Sequence, residues 1–251
     1  MNVKIPNIPT YILNIPARKE RLKNALLQVE KLGVNAEIFH AYTPVMLDVP
    51  YEELEKPLHK INRFTPGCFA ARDSFVAILN DAVATKKPCF LYVEDDVFIV
   101  DGAKEQLEQM LAELPDNWDV LLLSVYHYQK PDIVSESLVK VNGTWGMNLA
   151  LFNESSYERL SNLVSTGFRP ADLTVGMTKL LGSDINVYAA RHNISYETPD
   201  MVSDITHKAE TKELPIDVMT HQEITPIEIA LAKNPNLNLE QIWERMNPKP
   251  N

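Results

Sequence analysis

The chain reads as an α/β sandwich, one sheet with helices layered against it. Apolar runs of strand length alternate with longer stretches of helical period through the first two-thirds of the chain, which favours a sandwich over a bundle or a barrel. With 251 residues, 45% hydrophobic and 23% charged, there is enough apolar material for a substantial core, as one large domain or two small ones.

"TYILNI" is a short apolar strand. "ARKERLKNALLQVEKLG" follows as a helix, with Leu22, Leu26, Val29 and Leu32 on one stripe and Gly33 as its stop. "NAEIFHA" is a second strand, and "CFAARDSFVAILNDAVATKK" a helix with Phe75, Ile78, Leu79 and Val83 inward. "KKPCFLYVEDDVFIV" opens as a buried strand, "GAKEQLEQMLAEL" is helical, and "WDVLLLSV" is buried again. Beyond Tyr126 the pattern turns β-rich, with "DIVSESLVKV" and "GMNLALF" as strands. "ESSYERLSNLV" and "ADLTVGMTKLLG" read as helical, and "INVYAARHNISYE" as extended. The span from Thr43 to Pro66 has no clear period, and a loop of that size is often functional. From about Lys208 the chain is polar and proline-punctuated, with amphipathic stretches in "PIEIALAKN" and "LNLEQIWERM".

Composition excludes several functions. A net charge of -10 argues against a nucleic-acid or anionic-membrane surface. No apolar run is long enough for a transmembrane segment, and the N-terminal stretch, broken by prolines, does not read as a signal peptide, so a cytoplasmic protein is expected. Two cysteines, Cys68 and Cys89, make no disulfide framework and lack metal-site spacing. Motifs of the dinucleotide, P-loop, nucleophile-elbow and zincin kinds are missing.

The informative stretch is the end of the fifth element, where Glu94, Asp95 and Asp96 follow an apolar strand. Like charges repel and desolvation is costly, so such a group asks for a counter-charge. Carboxylates at a strand's carboxyl end suit a divalent cation. A solvated strand-to-turn junction or a phosphoacceptor pocket would also read this way, although phosphoacceptor domains are about half as long. Strand alternation puts Glu94 and Asp96 on one side and Asp95 on the other. Arg18, Lys19 and Arg21 open the first helix, where cations oppose the helix dipole unless an anion lies near. Asn14, at the end of the first strand, suits either a turn or contact with such a ligand.

"PGCFAARDSFVAIL" about twenty residues before the Glu-Asp-Asp strand end resembles glycosyltransferase family 25, of the lipopolysaccharide-biosynthesis and procollagen galactosyltransferase kind. Asn14, Arg18 and Arg21 in "YILNIPARKER", the strand "NWDVLLLS", the segment "GTWGMNLALFN", and "RPADLTVG" and "SDIT" resemble further elements of that family. The resemblance covers about residues 9 to 206, so residues 1–207 are expected to form one domain and 208–251 a helical extension. One departure stands out: Ala71 and Arg72 replace the family's Ser-His.

The resemblance implies a GT-A fold with a mostly parallel sheet and a small β-rich acceptor part. It implies transfer of a hexose, galactose or glucose, from a UDP-sugar to a glycan hydroxyl with inversion, assisted by Mn²⁺ or Mg²⁺. Asp96 and Glu94 would hold the metal, completed by His207, unless that residue is a surface histidine. Asn14, Arg18, Arg21, Arg72, Glu94, Asp95 and Trp145 would line the nucleotide-sugar site. Inversion needs a carboxylate to take the acceptor proton. Asp172 suits that role or a helix N-cap, with Asp204 as its rival. Trp145 is placed against a sugar or nucleotide ring, or in the core, and Trp118 in the core. Because Arg72 stands where the family has His, a non-catalytic nucleotide-sugar or glycan-binding relative is the alternative.

Overall fold

The computed structural model describes residues 4–43, 46, 66–127, 129–166, 170–198 and 201. Most of the Thr43–Pro66 span, Asp204, His207 and the 208–251 extension lie outside the described residues. The strands are β1 Thr10–Asn14, β2 Ala36–His40, β3 Cys89–Glu94, β4 Val97–Ile99, β5 Val120–Leu122 and β6 Tyr126–His127. They continue with β7 Asp132–Ile133, β8 Leu138–Lys140, β9 Thr144–Trp145, β10 Leu149–Asn153, β11 Val187–Ala190 and β12 Ser195–Glu197. The helices are α1 Lys19–Glu30, α2 Pro66–Ala84, α3 Ala103–Glu113, α4 Tyr157–Ser165 and α5 Ala171–Gly176.

Eight strands form one sheet in the order β2-β1-β3-β10-β5-β11-β8-β7. β2, β1 and β3 are mutually parallel, β10 runs against β3 and β5, β11 is parallel to β5, and β8 opposes β11 and β7. Six strands therefore share one direction and two oppose it, the mostly parallel sandwich expected. Two short antiparallel ribbons, β12 with β4 and β6 with β9, stand beside it. No helix among the described residues is long and apolar enough to cross a membrane.

Strand alternation splits the core in two. On one face Tyr11 and Leu13 meet Phe75, Ile78 and Leu79 of α2 and Leu160 of α4; on the other, Ile12 and Leu91 meet Ala25 and Val29 of α1 and Leu107 of α3. Each such side chain contributes about 1.5–3 kcal/mol on burial. Phe75 sits edge-on to Tyr92 at 5.4 Å and against Phe152 at 5.1 Å, pinning α2 across β3 and β10.

Two stripe assignments need correction. Leu26 is 38% exposed and Val83 40%, while Ala25 and Ala82 are fully buried in their stead. At these two places the inward register falls on the small residue, and the bulkier neighbour turns outward. Gly33 does stop α1, at φ 71°, a conformation glycine adopts without steric cost. Trp118 is buried, as expected of a core residue, and so are Cys68 and Cys89.

Candidate active site at the carboxyl edge of the sheet

The acidic stretch is where the chain leaves the sheet. β3 ends at Glu94, Asp95 and Asp96 make the turn, and β4 departs to pair with β12. Alternation stops with the strand, so the turn brings both aspartates to one cation. Arg21 donates to Asp95 at 2.7 Å and to Asp96 at 2.6 Å, its side chain only 14% exposed. The counter-charge comes from helical period. Arg21, Asn24, Gln28 and Lys31 follow at three- and four-residue steps along α1. Asn24 donates to the Val97 carbonyl, the Gln28 amide oxygen accepts from Ile99 N–H, and Lys31 donates to the Ile99 carbonyl. These bonds dock α1 along β4 and set Arg21 over the turn.

Asn14, buried at the end of β1, donates to Asp95 at 2.6 Å and to the Arg18 carbonyl at 3.2 Å. It ties the acidic turn to the entry of α1. Asp95 itself is 6% exposed. Arg18 is exposed at the start of α1. Arg72, in the first turns of α2, donates to Asp73 at 2.7 Å and lies over the Phe69 ring at 5.0 Å. Because α2 runs into β3, its N-terminus stands at the same edge of the sheet as Glu94.

Glu94 holds a strongly perturbed carboxyl. Burial first, then the charges of Asp96, Asp172 and Glu197, raise it well above the ordinary range, against a hydrogen bond from the Tyr92 hydroxyl at 3.1 Å. Tyr92 is raised as well, by burial and then by Glu94. Carboxylates from the turn, α5 and β12 thus all act on Glu94 of β3. β12 is held there by Thr198, whose N–H donates to the Asp96 carbonyl at 2.6 Å and whose hydroxyl donates to Val97 O at 3.0 Å.

Asp172 is not an N-cap. Pro170 occupies that position, and Asp172 lies in the first turn of α5 with Oδ2 accepting from Gly146 N–H at 3.1 Å. Gly146 has φ 89°, and a β-carbon there would come within 3.3 Å of the Tyr126 ring. Trp145, its neighbour, is half-buried, stacked on Tyr126 with centroids 4.8 Å apart and packed against Leu173 and Met177. The structure therefore brings Glu94, Asp96 and Asp172 together, with Asn14, Arg21 and Asp95 as their support.

Sequence reasoning missed Tyr92, Gly146, Tyr126 and Glu197. Tyr92 lies two residues before Glu94 and so on its side of the strand, a signal that alternation offered. Glu197 closes the alternating "ISYE" run. Gly146 and Tyr126 acquire meaning only from long-range pairing.

Among the described residues no three of His, Cys, Asp and Glu converge as a metal cage. Magnesium-type ions in phosphate-handling sites need one or two carboxylates, the remainder coming from phosphate and water. Glu94 and Asp96 fit that donor set: both are carboxylates at one strand edge, and Glu94 carries an electrostatic penalty that a cation would relieve.

No family model matches the chain, and no curated protein does. Among solved structures, it overlaps a glycosyltransferase involved in glycosylation of the major capsid of PBCV-1 at 13% identity and TM-score 0.36, spanning 64% of this chain and 66% of that one. It overlaps S. aureus TarS at 12% identity and TM-score 0.45, spanning 93% of this chain and 67% of that structure.

Proposed function

We propose that the protein is a metal-dependent, inverting glycosyltransferase that moves a hexose, galactose or glucose, from a UDP-sugar to a glycan hydroxyl. The observation that carries this reading is the placing of Glu94 within reach of the Asp96 and Asp172 charges at the carboxyl edge of β3, the position where α/β sheets bind nucleotides. The resemblance of the Glu-Asp-Asp strand end and its preceding helix to glycosyltransferase family 25 supplies the chemistry. Asp96 and Glu94 would hold Mn²⁺ or Mg²⁺, with His207 as a further ligand proposed from sequence. The bound ion would supply positive charge for the departing diphosphate. Asn14, Arg18 and Arg72 rim the same edge and are assigned to the nucleotide. Asp172, anchored through one oxygen by Gly146 N–H, is assigned to take the acceptor's proton.

The test is release of UDP from UDP-galactose and UDP-glucose with manganese and a glycan acceptor. Asp172→Asn retains an oxygen for Gly146 N–H, so the fold and UDP binding persist while transfer falls by about 10²–10⁴. Near wild-type transfer in that variant would move the base to Asp204. A second reading, a non-catalytic nucleotide-sugar or glycan-binding protein, is favoured by Arg21, which already gives Asp95 and Asp96 a cation from within the chain. Binding without turnover across donors and acceptors would select it.

A further inference from the structure

We infer that Arg21 is the cation a divalent ion must displace at the acidic turn: its guanidinium holds Asp96 until a nucleoside diphosphate draws it away, and the metal enters by that exchange. The inference rests on the transferase reading and deepens it, naming the residue that makes metal uptake depend on the nucleotide.

The carrying observation is a convergence. One nitrogen of Arg21, Nη2, lies 2.7 Å from Asp95 Oδ1 and 2.6 Å from Asp96 Oδ2. Oxygens from two carboxylates thus meet at a single positive point, and charge-assisted bonds of that length are the strong kind. Asp96 is one of the two carboxylates assigned to the ion. A guanidinium does not give up its proton in a protein, so Arg21 has no neutral form in which to stand aside. Either it moves, or a divalent ion on Asp96 meets a like charge at close range, with the two side chains only 14% and 21% exposed. The turn therefore opposes a bare cation although it is acidic.

Three features let the exchange happen without loss of the fold. Further along α1, Asn24, Gln28 and Lys31 dock the helix on β4 through bonds that do not use the carboxylates of the turn. Asn14 donates to Asp95 through Oδ2, the oxygen opposite the one Arg21 holds, so the turn keeps its tie to β1 when the guanidinium withdraws. The exchange then falls on Asp96, the more exposed of the two aspartates. Finally, Arg21 lies in the first turn of α1, where unpaired N–H groups and the helix dipole attract an anion. A diphosphate arriving there offers the planar guanidinium a two-point partner in place of Asp96.

Calorimetric titration of Mn²⁺ into the full chain reads the exchange. Without UDP, Arg21→Gln should bind Mn²⁺ about ten-fold tighter or more than wild type, because the amide keeps a donor for the turn and loses the charge. With UDP saturating, that advantage should vanish. Equal Mn²⁺ Kd in the two proteins without UDP overturns the inference, and so does a wild-type Kd that is the same with and without UDP. A crystal of the wild-type chain with UDP and Mn²⁺ tests the point without a variant. Arg21 Nη2 should be withdrawn from Asp96 Oδ2, and a guanidinium still bonded to Asp96 beside the bound ion overturns the exchange. Failure of the transferase reading looks different. Absence of Mn²⁺ binding in both proteins with UDP present removes the metal site itself, whereas bound Mn²⁺ at an affinity indifferent to residue 21 removes only the role of Arg21.

Discussion

Gly176→Ala is a small perturbation with a large expected consequence. Gly176 ends α5, and an added methyl would lie 2.0 Å from the Thr144 carbonyl oxygen, 2.7 Å from its carbon and 2.9 Å from Cγ2. Ordinary contact begins at 3.4 Å, so helix and ribbon must part by about 1.4 Å. The obstacle is backbone, and no rotamer change removes it. Overpacking costs about 1–3 kcal/mol, occasionally more, and the upper end is expected here. For a domain of this size about 3 kcal/mol lowers Tm by roughly 6–12 °C. Gly102→Ala is the comparator: its φ is 77° and nothing lies within 4 Å, so only a left-handed penalty of about 1–2 kcal/mol applies. Thermal unfolding by circular dichroism reads both variants. Amide exchange at Gly146 should quicken in Gly176→Ala, because α5 carries the carboxylate that holds that N–H. A Tm within about 2 °C of wild type would refute the packing argument, and with it the claim that α5 is fixed by its contact with β9.

Arg21→Met keeps the aliphatic stem and strips the cation from Asp95 and Asp96, so unfolding in guanidinium should show a loss of about 3–5 kcal/mol. Adding Asp95→Asn should restore part of that loss, and strict additivity would deny the pairing. His127, 3% exposed and with neither ring nitrogen hydrogen-bonded among the described residues, is held down to about 4 by burial. Its folded value lies below its unfolded one, so its contribution is complete above about pH 6.5 and is lost as pH falls toward 4, some 3 kcal/mol in all. Glu94, raised on folding, works in the opposite sense, gaining stability as pH falls. The measurement is therefore a difference, urea midpoints of wild type and His127→Leu at pH 7 and pH 5, with a smaller drop in the variant expected. Equal drops would remove His127 from the account.

The alternation of strands and helices was legible because periods of 2 and 3.6 are local properties. Stripe assignments failed at Leu26 and Val83 because hydrophobicity alone cannot say which of two adjacent apolar residues faces the sheet. The acidic strand end was visible as an electrostatic anomaly, but its resolution was not. Arg21 read as a helix-opening cation facing solvent or an anion, since a sequence does not reveal that α1 docks along β4 and sets Arg21 on Asp95 and Asp96. Asp172 suited a proton acceptor or a cap, and the cap half of that reading failed because Pro170 holds the N-cap position. Its partner, Gly146, lies 26 residues earlier and is reached only through the pairing of β6 with β9.

β10 opposes its neighbours on both sides, and that reversal bears on how the protein folds. A strand parallel to β3 would present its exit at the edge where Glu94 stands; β10 presents its entry, so Glu94 N–H donates to the Asn148 carbonyl at 2.9 Å. Leu149 pairs with Val93 across a separation of about 55 residues, and until that register is set Gly146 has no fixed position from which to hold Asp172. The β1–β3 pairing, Thr10 with Leu91, closes a longer span of about 80 residues. By loop-closure cost alone the β3–β10 register is therefore not the later of the two, and the half of the edge that carries Asn14, Arg21 and the acidic turn completes no earlier than the half that fixes Gly146 against Asp172. Amide protection in a pulse-labelled refolding experiment would accordingly appear at Gly146 no later than at β1.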